Sequence, residues 1–196
     1  MSTIAVVLTF VLASNIVLDR FLGFCLIIDG EAALGRIVRV GAIMTVLIPV
    51  TTAATWLAGS LILGPLGLWF LRTLVYVFAV YGLVSAIDHG LRVALPSVHA
   101  VVSDDLMVVA MNSSVLGVSL IVTEVGLGFA HSVAAAAASG VGFVLVASIV
   151  ASIVAQIETE WVPARLRGRP ITFVTLGLVA LAFAAFDQGF LSNLLR

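Results

Sequence analysis

The chain has 196 residues, 62% of them hydrophobic and only 10% charged, with a formal net charge of −1. Soluble domains are about a quarter charged, so a soluble globular protein is excluded; nine basic residues, all arginine, against ten acidic ones also exclude a basic nucleic-acid surface. A single cysteine excludes an internal disulfide framework and any four-cysteine metal site made by this polypeptide alone.

The charges gather in short stretches between apolar runs long enough to cross a bilayer, which takes about 20 helical residues. The pattern predicts an all-α polytopic membrane protein with six spans, at about 3–27, 38–60, 67–88, 100–122, 129–155 and 171–192. The first run has no basic n-region and reaches Asp19 after eighteen residues, so it reads as a span rather than a cleaved leader. Asp29-Gly30-Glu31 closes it, Gly64-Pro65-Leu66-Gly67 separates the second and third spans, and Pro96 precedes the fourth. Gly126 and Gly128 mark the turn before the fifth span, and the polar stretch from Gln156 to Pro170 leads into the sixth. Pro170 suits the first turn of that last helix, where its missing amide donor is not needed.

Arginine placement sets an expected orientation. The first, third and fifth connections hold Arg36, Arg39, Arg92, Arg165, Arg167 and Arg169, whereas the other side has Arg72 and Arg196. The basic side is expected in the cytoplasm of a bacterial or archaeal cell, with both termini outside the cytoplasmic membrane. Short loops leave no soluble domain, so the whole chain is expected to form one transmembrane domain. It divides into halves at about 1–95 and 98–196, each of three spans and therefore oppositely oriented. The first span of each half carries polar residues in mid-run, which predicts broken first and fourth helices. Such pairs point to a site at the interface of an inverted repeat. The internal identity is thin, little more than Asn15-Ile-Val-Leu18 against Ser113-Ser-Val-Leu116.

Polar groups inside these runs are the candidates for chemistry, because hydrocarbon makes them costly. Cys25 is either a small buried hydrophobe or a thiolate ligand to iron, and the second role needs further ligands because sulfur-ligated clusters normally use four. Asn15, Asn112, Ser113 and Ser114 either glue helices together or cap helix breaks around a cofactor. Gly23 and Gly117 allow close backbone approach in that second case and are plain packing residues in the first. Asp19, Arg20, Asp104 and Asp105 are interfacial charges or, for the three aspartates, parts of an ion path; Asp187 is similar. Glu124 falls in a loop, and the spacing of His89, His99 and His131 gives no metal signature, so they read as surface groups.

Several stretches resemble one known family. These are Ser14-Asn-Ile-Val-Leu18 with Phe21-Leu-Gly-Phe-Cys25, Leu71-Arg-Thr-Leu74, Asn112-Ser-Ser-Val-Leu-Gly117 and Val162-Pro-Ala-Arg-Leu-Arg-Gly168, the last running on through Ile171-Thr-Phe173 to Phe183. In this order they resemble the small six-span subunits of Rnf electron transport complexes (the A-type) and of the sodium-translocating NADH:quinone reductases (the E-type of Nqr). The resemblance implies an integral membrane component of a multi-subunit, ion-translocating complex. That complex couples ferredoxin or NAD(H) redox chemistry to proton or sodium transport, with the chain expected as a non-autonomous subunit of a membrane oxidoreductase or translocase and its own enzymatic status left open. Implied partners are a six-span sister subunit of inverted topology, flavin and iron–sulfur subunits, and membrane lipids. The family's two related subunits share a [2Fe-2S] cluster, each giving two cysteines. Cys25 matches the first, but Ser113 stands where the second is usual. Three arrangements remain open on this reading: serine ligation as an alkoxide, three thiolates with another donor, or no cluster. Leu26 in place of a usual proline, and Ser85-Ala-Ile-Asp88 in place of a more acidic stretch, are further departures. The alternative function is a small transporter or a structural subunit without a redox centre.

Overall fold

The computed structural model describes residues 3–28, 34–157 and 161–185. The predicted turn at Asp29–Glu31, Asp187, Arg196 and the end of the sixth predicted span lie outside the described residues. Ten α-helical segments are seen among the described residues. They are α1 (Thr3–Leu8), α2 (Ile16–Arg20), α3 (Cys25–Ile28), α4 (Leu34–Ala58), α5 (Gly64–Leu66), α6 (Arg72–Ala94), α7 (Pro96–Ala110), α8 (Ser113–Val125), α9 (Phe129–Gln156) and α10 (Arg169–Phe183).

The chain is an all-α membrane protein, but the expected six spans in two inverted three-helix repeats are overturned. Three helical stretches among the described residues are long and apolar enough to cross a bilayer: Gly35–Leu66, Trp69–Ala94 and Phe129–Gln156. A fourth is reached only if α7 and α8, bent by 54° at their junction, count as one crossing. The first apolar run fails because its backbone is interrupted twice. Its longest helical piece, Thr3–Ala13, reaches about 16 Å at 1.5 Å per residue, half of a hydrocarbon core of about 30 Å. The described part of the last run, α10, has 15 residues and reaches about 22 Å. Among the described residues, counting apolar positions therefore overstates the number of spanning helices.

The described chain forms two compact units, residues 1–42 with 138–196, and residues 43–137. In the first, α1 passes into a π-helical turn over Thr9–Ala13 and stops at Ser14. The short α2 ends on Phe21, which takes a left-handed backbone at φ 53°, and Gly23 follows at φ 81°. Both α2 and α3 pack against α10. The contact is aromatic: Phe173 stacks on Phe21 with centroids 6.1 Å apart and meets Phe24 edge-on at 5.0 Å. The approach to α10 is shaped by Gly168, whose φ 76° and ψ −127° suit glycine alone. Pro170 then sits in the first helical turn.

In the second unit, α6 and α7 form a hairpin through Leu95, and α6 also packs against α8. A seam of hydroxyls ties the helices together. Thr52 and Ser119 are 3.3 Å apart, and Tyr76 Oη lies 3.1 Å from Thr123 Oγ1. The Trp56 indole donates to the Leu127 carbonyl at 3.1 Å, and the Arg72 guanidinium donates to Glu124 at 3.1 Å. Thr51, Thr55, Ser119 and Thr123 also return hydrogen bonds to carbonyls of their own helices, which satisfies them without water. Tyr76 Oη further occupies the space beside Gly59, where an added Cβ would meet it at 2.8 Å.

One glycine in the first unit gives a stability test. A Cβ on Gly142 would lie 2.7 Å from Asn15 Nδ2 and 3.3 Å from the Val11 backbone. Backbone cannot yield as a side-chain tip does, so Gly142→Ala is expected to cost about 1–3 kcal/mol. Gly177→Ala, with nothing within 4 Å, should cost nothing. Thermal unfolding of the detergent-purified protein checks the pair, and equal Tm values would remove the close-packing claim.

Candidate functional site

Two helix breaks hold the candidate residues, one in each unit, and each is organised by an asparagine. Asn15 is 1% exposed and takes an extended backbone at φ −65°, ψ 123°. Its Oδ1 accepts from the Val17 amide at 3.0 Å, and its Nδ2 donates to the Val11 carbonyl at 2.9 Å. One side chain thus serves a helix-start donor and an acceptor in the preceding π-turn. Asn112 does the first of these for α8: it is 4% exposed, and its Oδ1 accepts from the Ser114 amide at 2.8 Å. Such caps meet the demand of helix-end groups that have no partner within the helix.

Just past each break lies a predicted ligand. Cys25 is the first residue of α3 and is exposed. Ser113 is the first residue of α8 and is exposed too, whereas Ser114 beside it is fully buried. The Ser114 hydroxyl has no hydrogen-bond partner among the described residues. Gly23 is buried, with a backbone that side chains rarely adopt, and Gly117 is half-buried within α8. Asp19 is exposed in the first turn of α2 and pairs with Arg20 at 3.2 Å. Asp104 is exposed on α7, and the adjacent Asp105 is 3% exposed. Asp19 belongs to the first unit and the other two aspartates to the second.

At the two family-matched positions the chain offers one thiol, Cys25, and one hydroxyl, Ser113. Among the described residues no group of three or more His, Cys, Asp or Glu could hold a metal ion. One thiolate cannot make half of a four-thiolate set, and a serine oxygen ligates iron well only after losing its proton.

Sequence reasoning missed two features. His99 is not a plain surface group: its Nε2 lies 3.0 Å from Asp88 Oδ1, joining α6 to α7. The hydroxyl seam was also missed, although Thr51/Thr55 and Ser119/Thr123 carry its signal, hydroxyls four residues apart on one helix face.

A family model described as Rnf-Nqr subunit, membrane protein, matches residues 3–189. The chain belongs to the Rnf-Nqr family. Among curated members it is 35% identical over 181 residues to the A-type subunit of the ion-translocating oxidoreductase complex of Rhodobacter capsulatus, covering 92% of this chain and 94% of that protein. It is 30% identical to the A-type subunit of the Na+-translocating ferredoxin:NAD+ oxidoreductase complex of Acetobacterium woodii, covering 95% and 97%. The corresponding protein of the ion-translocating oxidoreductase complex of Shigella flexneri is 32% identical, with 90% and 92% covered. This Rnf-Nqr subunit therefore matches its relatives along nearly their whole length.

The caps can be tested directly. Asn15→Ala and Asn112→Ala should each lower stability by about 1 kcal/mol, while Asn→Asp at either position recovers most of the cap. Asn15→Ala also removes the side-chain donor to the Val11 carbonyl. Chemical unfolding in detergent reads both effects, and an Asn15→Ala variant as stable as the parent would refute the bridging role.

Proposed function

We propose that this Rnf-Nqr subunit serves its ion-translocating electron-transport complex as a membrane scaffold whose own cluster-ligand pair is incomplete. The complex couples ferredoxin or NAD(H) redox chemistry to movement of protons or sodium. Its named relatives are A-type subunits of ion-translocating oxidoreductases, and one is named for sodium, ferredoxin and NAD+. The observation that carries the reading is the donor set: a single thiol at Cys25 and a hydroxyl at Ser113 where the family resemblance calls for a second thiol. A [2Fe-2S] cluster held between this chain and a related membrane subunit would lack one sulfur ligand. The capped breaks at Asn15 and Asn112 then keep the helix-break geometry without the metal.

Partners on this reading are the related membrane subunit, together with the flavin and iron–sulfur subunits of the complex, in the cytoplasmic membrane. The arginine-rich connection around Arg165, Arg167 and Arg169 faces the cytoplasm, as the positive-inside rule expects.

Iron content tests the scaffold reading. The purified, fully assembled complex should contain no [2Fe-2S] iron beyond that of its other iron–sulfur subunits, and Cys25→Ala should leave the iron count and the EPR spectrum unchanged. Ser113→Cys restores the second thiol and is expected to add a new [2Fe-2S] signal. A membrane-cluster signal in the parent complex that vanishes in Cys25→Ala would sink the proposal. For orientation, a membrane-impermeant thiol label on a cysteine placed at Leu166 should react only when the cytoplasmic face is open; labelling of intact cells would reverse the assignment.

A further inference from the structure

A groove runs along the hairpin of α6 and α7, from Asp88 near the hairpin connection to Ala110 and Met111 beside the α7–α8 break. Its lining changes character along its length. At the hairpin end, Asp88 Oδ1 on α6 lies 3.0 Å from His99 Nε2 on α7, and the Asp88 side chain stays 47% exposed. One turn further in are the hydroxyls of Ser85 and Ser103. Beyond them the lining becomes Tyr81 from α6, Met107 from α7 and Met111 just past its end, all exposed. The host helix is the least buried of the three spanning stretches: 17% of its apolar window is buried, against 44% for the other two.

A half-exposed carboxylate beside two hydroxyls is a poor surface to leave against acyl chains, because polar groups in hydrocarbon need partners. The recess holds about 110 Å³. Such a recess has room for a segment of acyl chain. Asp88 supplies a carboxylate at the connecting end of the hairpin, with His99 against it and no lysine or arginine among the groove's lining residues. The order of chemistry, acid then hydroxyl then thioether and aromatic, is the order of chemistry along a phospholipid that carries an ammonium headgroup. Methionine thioethers adapt readily to a flexible chain.

We infer that this groove is a binding site for one aminophospholipid, with a primary ammonium headgroup at Asp88, its linkage region beside Ser85 and Ser103, and one acyl chain against Tyr81, Met107 and Met111. The Asp88–His99 contact positions the carboxylate and leaves it able to accept from the ammonium group. A choline headgroup has no N–H to donate, and a glycerol headgroup leaves the phosphate charge unbalanced against the carboxylate.

The test is native mass spectrometry of the purified complex with phosphatidylethanolamine, phosphatidylcholine or phosphatidylglycerol of matched chains added in turn. Retention of phosphatidylethanolamine is expected to exceed that of the other two by about fivefold, the scale of one partly exposed charge contact. Asp88→Asn should bring the ratio to about one while the complex assembles normally. Met107→Trp, at an exposed position, should lower retention of all three lipids at this site. A photo-crosslinking amino acid at position 107 should capture lipid. Equal retention of the three lipids by the parent complex, or a crosslink from position 107 to another protein of the complex, overturns the site. The parent measurement and the crosslink stand even if a variant fails to assemble.

Discussion

A helix that stops inside hydrocarbon leaves amides and carbonyls with no water to turn to, and that constraint governs this molecule more than any other. Each such group costs several kcal/mol when left alone, so a break survives only where something nearby replaces the lost bonds. Asn15 replaces two at once, reaching forward to Val17 and back to Val11. Asn112 covers the start of α8. With the breaks satisfied, α2 and α3 are free to turn across α10 and seat Phe21 and Phe24 on Phe173. The 54° bend at α7 and α8 becomes tolerable for the same reason.

Packing follows from how little else is available to hold membrane helices together. Lipid is as apolar as leucine, so there is no hydrophobic drive between spans, and small residues and hydroxyls take over. Gly142 admits Asn15 and the Val11 backbone at close range. The seam from Thr52 through Ser119, and from Thr123 to Tyr76, supplies directional contacts in the second unit. Ser119 and Thr123 are also tied to their own helix, and Ser114 is the one stranded buried hydroxyl among the described residues.

Much of this was legible in the residues. The three long spanning stretches, the turn chemistry at Gly67 and Gly126, and the family were all readable. So was the polar interruption of the first run, because asparagine and serine in mid-run are expensive unless used. What composition could not convey was how far an interruption shortens the helices on either side. Hydropathy averages over Ser14, Phe21 and Gly23, whereas the backbone does not: the left-handed turn at Phe21 ends α2 after five residues. Phe21 was the least readable element, since nothing local marks a phenylalanine for positive φ and only its tertiary contacts with Phe24 and Phe173 compensate it. The Asp88–His99 contact was hidden for a related reason, as it joins residues eleven apart across a hairpin whose register the sequence leaves open.

The Tyr76 hydroxyl that fills the space beside Gly59 also constrains how this chain can drift. A first substitution at 59 meets the phenol oxygen at 2.8 Å. A first substitution at 76 leaves a void in a fully buried place and a Thr123 hydroxyl with one contact fewer. Either step alone disturbs this packing, so the two positions should vary together or not at all. Lineages that keep this fold should carry glycine with tyrosine, or a larger residue with a shorter one. The mixed combinations should be rare.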